Sequence, residues 1–142
     1  MATIEKTIIT VSTTVNAPIE TVWDSWNNPE HITKWCAASD DWHTPTATND
    51  LKVGGKFTSR MEAKDESMGF DFGGIYDAIR KNEYIEYTIG DGRKVKISFS
   101  PTETGGTKVS ESFEAESTNP VEMQKAGWQA ILDNFKKYTE TL

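Results

Sequence analysis

Among the residues able to do chemistry, Glu111 is set apart by its neighbours. The run Val109-Ser110-Glu111-Ser112-Phe113-Glu114-Ala115 alternates, and simple alternation puts Glu111 on the face shared by Val109, Phe113 and Ala115. A carboxylate among apolar side chains is costly unless hydrogen-bonded or protonated, and burial raises its pKa. Three placements are open. Glu111 can anchor a polar group at the base of an apolar cavity, a bulge can turn it to solvent, or it can pair with a structural Arg or Lys. The same inner-face pattern collects Phe57, Ser59 and Met61, then Phe70, Phe72, Gly74, Tyr76 and Ala78, then Ile85, Tyr87 and Ile89. Ser59, Tyr76 and Tyr87 carry hydroxyls that can meet a ligand's polar end. Equally, those hydroxyls can be satisfied by backbone or water within a plain core.

Other chemistry is thinly supplied. His31 and His43 lack the spacing of helical metal ligands, and no carboxylate–His–Cys set has metal spacing. No nucleophile motif is present. Gly54-Gly55 and Gly105-Gly106 read as turns, since neither opens a helix in the pattern of a phosphate loop. The single Cys36 excludes an internal disulfide and reads as a small packing residue of a reducing compartment. The sequence therefore assigns no catalytic residue, no metal site and no cofactor, and an enzyme is the less favoured class.

The bulk numbers narrow the partners. A net charge of -7 and a pI near 4.8 argue against nucleic acid and against anionic membrane. No stretch has the length of a membrane span or the form of a leader, so cytoplasm is the expected compartment. The 142 residues suit one domain, 1–142. Five Trp, six Phe and four Tyr supply large apolar walls.

Those walls need elements to hold them. Residues 4–15 are β-branched almost throughout and predict a strand. Asn16-Ala17-Pro18 stops it. Ile19, Val22, Trp23 and Trp26 then form a helical stripe, and Pro29 opens a second short helix with Ile32 and Trp35 facing inward. Trp42 to Thr48 reads as a weak edge strand because Pro45 interrupts it. Five alternating segments follow, separated by short turns, of which Gly90-Asp91-Gly92 is the strongest hairpin signal. Short connections predict an antiparallel meander with one apolar face and one wet face. Gly73-Gly74, inside a strand pattern, marks a bend or bulge, or else crowding against a Trp. Finally Val121, Trp128, Ile131, Leu132, Phe135 and Tyr138 recur at helical steps. A lone helix must bury that stripe, and the sheet is its only large partner.

This order resembles the helix-grip fold of the START-like (SRPBCC) superfamily, shared with the birch-pollen-allergen group. Three segments narrow the likeness. Residues 17–24 and 28–35 (Ala-Pro-Ile-Glu-Thr-Val-Trp-Asp, then Asn-Pro-Glu-His-Ile-Thr-Lys-Trp) resemble the group's opening. Asp50-Leu51-Lys52-Val53-Gly54-Gly55 looks like the turn of one branch, and Gly127-Trp128-Gln129-Ala130-Ile131-Leu132-Asp133-Asn134-Phe135 like its closing helix. The branch is that of the C-terminal domain of the activator of the ninety-kilodalton heat-shock protein ATPase. The full co-chaperone also carries an Asn-x-x-Asn-Trp-His-Trp segment, which Asp40-Asp41-Trp42-His43-Thr44 does not reproduce. The resemblance implies an α+β domain with a curved antiparallel sheet around a long C-terminal helix and two short helices after the first strand. It also implies that Trp35 stands near a cavity mouth, as a gate or as a tryptophan closing the core edge.

The expected function is binding of a small, mostly apolar ligand between the terminal helix and the sheet. The expected site comprises Trp35, Phe57, Ser59, Met61, Phe72, Tyr76, Tyr87, Glu111, Phe113, Trp128 and Leu132. The same pattern leaves two alternatives. One is an interaction module with a chaperone partner, by family analogy, which requires a filled interior and an exposed patch. The other is a cyclase- or hydrolase-like enzyme, which requires two titratable groups in reach of each other inside the cavity. An edge strand offers a route to dimers, but nothing in the sequence selects an oligomeric state.

Overall fold

A computed structural model describes residues 7–142. Strand β1 spans Ile8–Val15, helices α1 and α2 span Ile19–Asn27 and Pro29–Trp35, and strand β2 spans Trp42–Asn49. Strands β3 (Lys56–Ala63), β4 (Gly69–Arg80), β5 (Tyr84–Ile89), β6 (Lys94–Pro101) and β7 (Thr107–Glu114) follow, and helix α3 (Val121–Thr139) ends the chain. The expected first strand began at residue 4; residues 4–6 lie outside the described part.

All seven strands form one antiparallel sheet in the order β1-β7-β6-β5-β4-β3-β2. Consecutive strands from β2 to β7 pair as the short connections require, and β1 joins at β7. The sheet curves into a half-barrel. Alternation holds cleanly in β6, where Val95, Ile97 and Phe99 are buried between exposed lysines and serines. Helix α3 lies across this face and buries Leu132 and Phe135 completely. Asn28 starts α2 by accepting the Glu30 N–H at 3.0 Å, with Pro29 in the first turn, where its missing N–H costs nothing.

Three local expectations are corrected. Val121 does not join the buried stripe of α3: it is 40 % exposed, and Met123 beside it is 62 % exposed. The first turn instead buries Gln124, whose amide accepts from Glu116 N at 2.9 Å and donates to Asn119 O at 2.7 Å, so its side chain organises the loop that enters the helix. Ala78 does not face inward. The β4–β5 register shifts between Tyr76 and Ala78, so Ala78 pairs with the outward Glu86 and Ile79 meets Ile85 on the core side. At Gly73 and Gly74 the crowding is real, but its source is backbone and Phe57, not a tryptophan.

Candidate functional site

The space between α3 and the sheet is not filled. A cavity of about 290 Å³ remains there, walled by aromatic side chains. Phe57 from β3 and Tyr87 from β5 meet edge to face at 4.7 Å, and Tyr76 lies 5.3 Å from Phe57. Trp128 hangs from α3 against Phe72 of β4. Trp26 and Trp35 close the end formed by the two short helices.

Of the expected site residues, Trp35, Phe57, Ser59, Met61, Phe72, Tyr76, Tyr87, Glu111 and Trp128 line this cavity. Phe113 and Leu132 do not. Both are fully buried, and Phe113 stands behind Trp128 with its ring stacked on the indole, so the larger side chain screens it from the space. Leu132 shares the helical stripe with Trp128 but sits in the solid core, while its neighbour Ile131 reaches the cavity. Trp35 does not have the freedom of a gate. It is buried, and its indole N–H donates to Ser25 O at 2.8 Å, which fixes the ring against α1.

The polar lining divides into satisfied and unsatisfied groups. The Tyr76 hydroxyl donates to Asn49 Oδ1 at 2.6 Å. The Asn49 amide donates to Asn27 O at 2.7 Å, and the Asn27 amide to Trp23 O at 2.9 Å. This chain ties β4 and the edge strand β2 to α1 and leaves Tyr76 with no free proton for a ligand. Glu111 is different. It is 5 % exposed, and β-sheet pairing sets it between Val11 and Ile97, neither of which offers a side-chain donor. Among the described residues its carboxyl makes no hydrogen bond or ion pair. Burial therefore pushes its pKa up to about 8. The Tyr87 and Ser59 hydroxyls likewise line the cavity without a protein partner among those residues, and all three side chains are buried.

Burial also pushes the Cys36 thiol up to about 11, with the nearby Glu111 adding to the shift, and holds Tyr87 well above the usual phenol range. A thiol so shifted is a poor nucleophile. Among the described residues Glu111 forms no hydrogen bond with either group. No group of three or more His, Cys, Asp and Glu side chains among the described residues is placed to hold a metal ion. His31 lies instead between Tyr138, at 2.5 Å from Nδ1, and Asp24, linking the three helices.

The sequence reading missed Trp26, Asn27, Ile32, Cys36, Phe70, Ile85, Arg93 and Ile131 as lining residues. Arg93 had a legible signal. Counting back by two from Phe99, Ile97 and Val95 reaches it on the inner face. Its Nε donates to Asp91 Oδ2 at 2.8 Å and its Nη1 to Glu114 O at 3.0 Å. Arg93 also lines a second, wider cleft, which shares Met61, Phe70, Trp128 and Ile131 with the inner cavity. These five side chains form the throat between the two spaces.

A half-barrel gripping a long helix over a partly empty, aromatic interior defines a START-like helix-grip domain, a class of ligand-binding and chaperone-associated domains. Residues 16–140 match the family model of the activator of Hsp90 ATPase homolog 1-like proteins, and the chain belongs to that family. It is similar to the AHSA1-like protein from Aeromonas hydrophila, with 44% identity, a TM-score of 0.88 and coverage of 95% of this chain and 93% of that one. A protein from Cytophaga hutchinsonii is 61% identical over 94% of this chain and 92% of its own, with a TM-score of 0.81. A Nitrosomonas europaea protein shares the fold at 16% identity, with a TM-score of 0.79 over 94% of each chain. No curated protein matches. No helix among the described residues is long and apolar enough to cross a membrane.

Proposed function

We propose that this protein binds a small, mostly apolar molecule in the cavity beneath Trp128. The observation that carries this reading is the buried Glu111 carboxyl facing an aromatic space with no protein partner among the described residues. An unmet polar group in such a place costs about 1–3 kcal/mol, which a guest that bonds to it removes. The driving force is burial of the guest's apolar surface, worth about 25 cal/mol per Å². The aromatic walls bind, and the few polar groups orient. Carriage or sensing of the guest follows from reversible binding.

The test uses N-phenyl-naphthylamine, an uncharged fluorophore of two linked ring systems. Titration is expected to give saturable, one-to-one binding with quenching of tryptophan emission, because Trp26, Trp35 and Trp128 line the space. Ser59→Met, which places a longer side chain into the cavity, is expected to weaken that binding about tenfold. Absence of saturable binding in the wild type, or undiminished binding in the filled variant, would refute the reading.

A further inference from the structure

We propose that the guest is an elongated molecule with two different polar ends: an uncharged hydrogen-bonding oxygen held at Glu111 and Tyr87, and an anionic group held at Arg93 in the throat. This rests on the ligand-binding reading above and adds the guest's polarity and direction.

The axis comes from sheet register. Glu111 pairs with Ile97 on β6, and Arg93 stands four residues before Ile97 along the same extended chain. At about 3.3 Å per residue, the two functional groups belong to rows roughly 13 Å apart. Phe57, Phe72, Tyr87 and Trp128 line the space that these two groups share, so a two-ring body fits between two polar ends.

The two ends differ in chemistry. At the inner end, Glu111 holds its proton to about pH 8, so near neutrality it donates an O–H instead of presenting a charge. Tyr87, pushed further from ionisation, is a second O–H donor. Such a pair suits a carbonyl or hydroxyl oxygen. At the outer end Arg93 is, among the described residues, the only basic side chain lining either space. Two of its nitrogens are engaged by Asp91 and Glu114, and Nη2 has no hydrogen-bond partner among the described residues. Among the described residues Glu116 is the one acid lining the outer cleft, and its carboxylate accepts from Asn119 N at 3.0 Å. An anionic group in the throat thus meets a guanidinium nitrogen that is free to bind it.

The test is a cycle of three probes against two substitutions. The probes are a biphenyl with a hydroxyl at one para end and a carboxylate at the other, the same acid without the hydroxyl, and the same phenol without the carboxylate. Dissociation constants come from tryptophan quenching. Wild-type protein is expected to bind the two-ended probe about tenfold more tightly than either one-ended probe. Glu111→Leu is expected to abolish the gain from the hydroxyl and keep that from the carboxylate; Arg93→Met is expected to do the reverse. Glu111→Gln, whose amide still donates, should keep part of the hydroxyl gain, and circular dichroism confirms that each variant is folded. Equal binding of all three probes by the wild type would overturn this inference and leave the ligand-binding reading standing. So would a hydroxyl gain that survives Glu111→Leu, or tighter binding of a biphenyl carrying an aminomethyl group in place of the hydroxyl. Failure of every biphenyl probe and of N-phenyl-naphthylamine would overturn both.

Discussion

Phe113 and Trp128 lie face to face, their ring centroids 3.9 Å apart and their planes 13° from parallel. Phe113 belongs to β7, two residues beyond Glu111, and Trp128 to α3. One stacked pair therefore sets the height of the helix above the strand that carries the buried acid. Trp128 then meets Phe72 of β4 edge-on at 6.0 Å, which sets the span of the cavity roof. Phe113 shapes the space without touching it.

Phe113→Ala is expected to cost about 3–5 kcal/mol of stability in urea unfolding, the range for truncating a buried aromatic ring. It should also weaken N-phenyl-naphthylamine binding, because Trp128 loses its backing and can settle into the void. Phe70→Ala, at a ring that is 47 % exposed, should cost much less, under about 1 kcal/mol. Comparable losses at the two positions would show that the stack does not set the roof.

The sequence disclosed the inward face of Glu111 because β7 alternates without interruption, with Val109 and Phe113 buried on either side of it. It did not disclose that the acid lacks a partner, since that depends on Val11 and Ile97 arriving from other strands. Ala78 was misplaced for a related reason. The bulge at Asp77 shifts every later residue of β4 by one face, and no turn residue announces it. Phe113 and Leu132 carry the right periodicity, yet periodicity separates inside from outside and not cavity wall from solid core. Arg93 followed the β6 alternation but stood beside a hairpin signal strong enough to read as loop.

Gly73 and Gly74 are fixed by close approach of neighbouring strands. A Cβ on Gly73 would lie 2.4 Å from Phe57 O, and one on Gly74 2.5 Å from Thr88 O. Backbone oxygens paired within a sheet cannot swing aside. Either Gly→Ala change is expected to cost about 1–3 kcal/mol. Gly90→Ala is the control, because its Cβ would meet nothing within 4 Å and its φ is not left-handed. That change should be neutral or raise stability by up to about 1 kcal/mol, through the unfolded state. Thermal melts of the three variants make the comparison, and a neutral Gly73→Ala would refute the close-approach account.

Asn49 holds Tyr76 and the end of α1 together, at 2.6 and 2.7 Å. Asn49→Ala strands the Tyr76 hydroxyl and the Asn27 carbonyl and is expected to cost about 1–3 kcal/mol. Since Tyr76 then has no partner to lose, adding Tyr76→Phe should cost nothing more and can recover part of the loss. The double-mutant cycle in urea reads this coupling directly. Strictly additive losses would mean that the two side chains act independently.

Glu111 makes stability depend on pH in a window set by its two states. Unfolded, it titrates at the ordinary value of 4.5; folded, burial raises that to about 8. Below pH 4.5 both states hold the proton, and the acid opposes folding least. As pH rises from there the unfolded chain releases its proton while the folded chain keeps it, so stability falls. The fall ends near pH 8, where the folded state ionises too. At pH 7 the loss amounts to roughly 3 kcal/mol, from about 1.4 kcal/mol per pH unit across the window. Glu111→Gln has no proton to exchange. The variant's stability advantage over wild type should therefore grow steadily between pH 5 and 8 in urea unfolding and level off above. An advantage that stays constant across that range would mean that the carboxyl has a partner in solution, and the unmet acid on which the ligand reading rests would be gone.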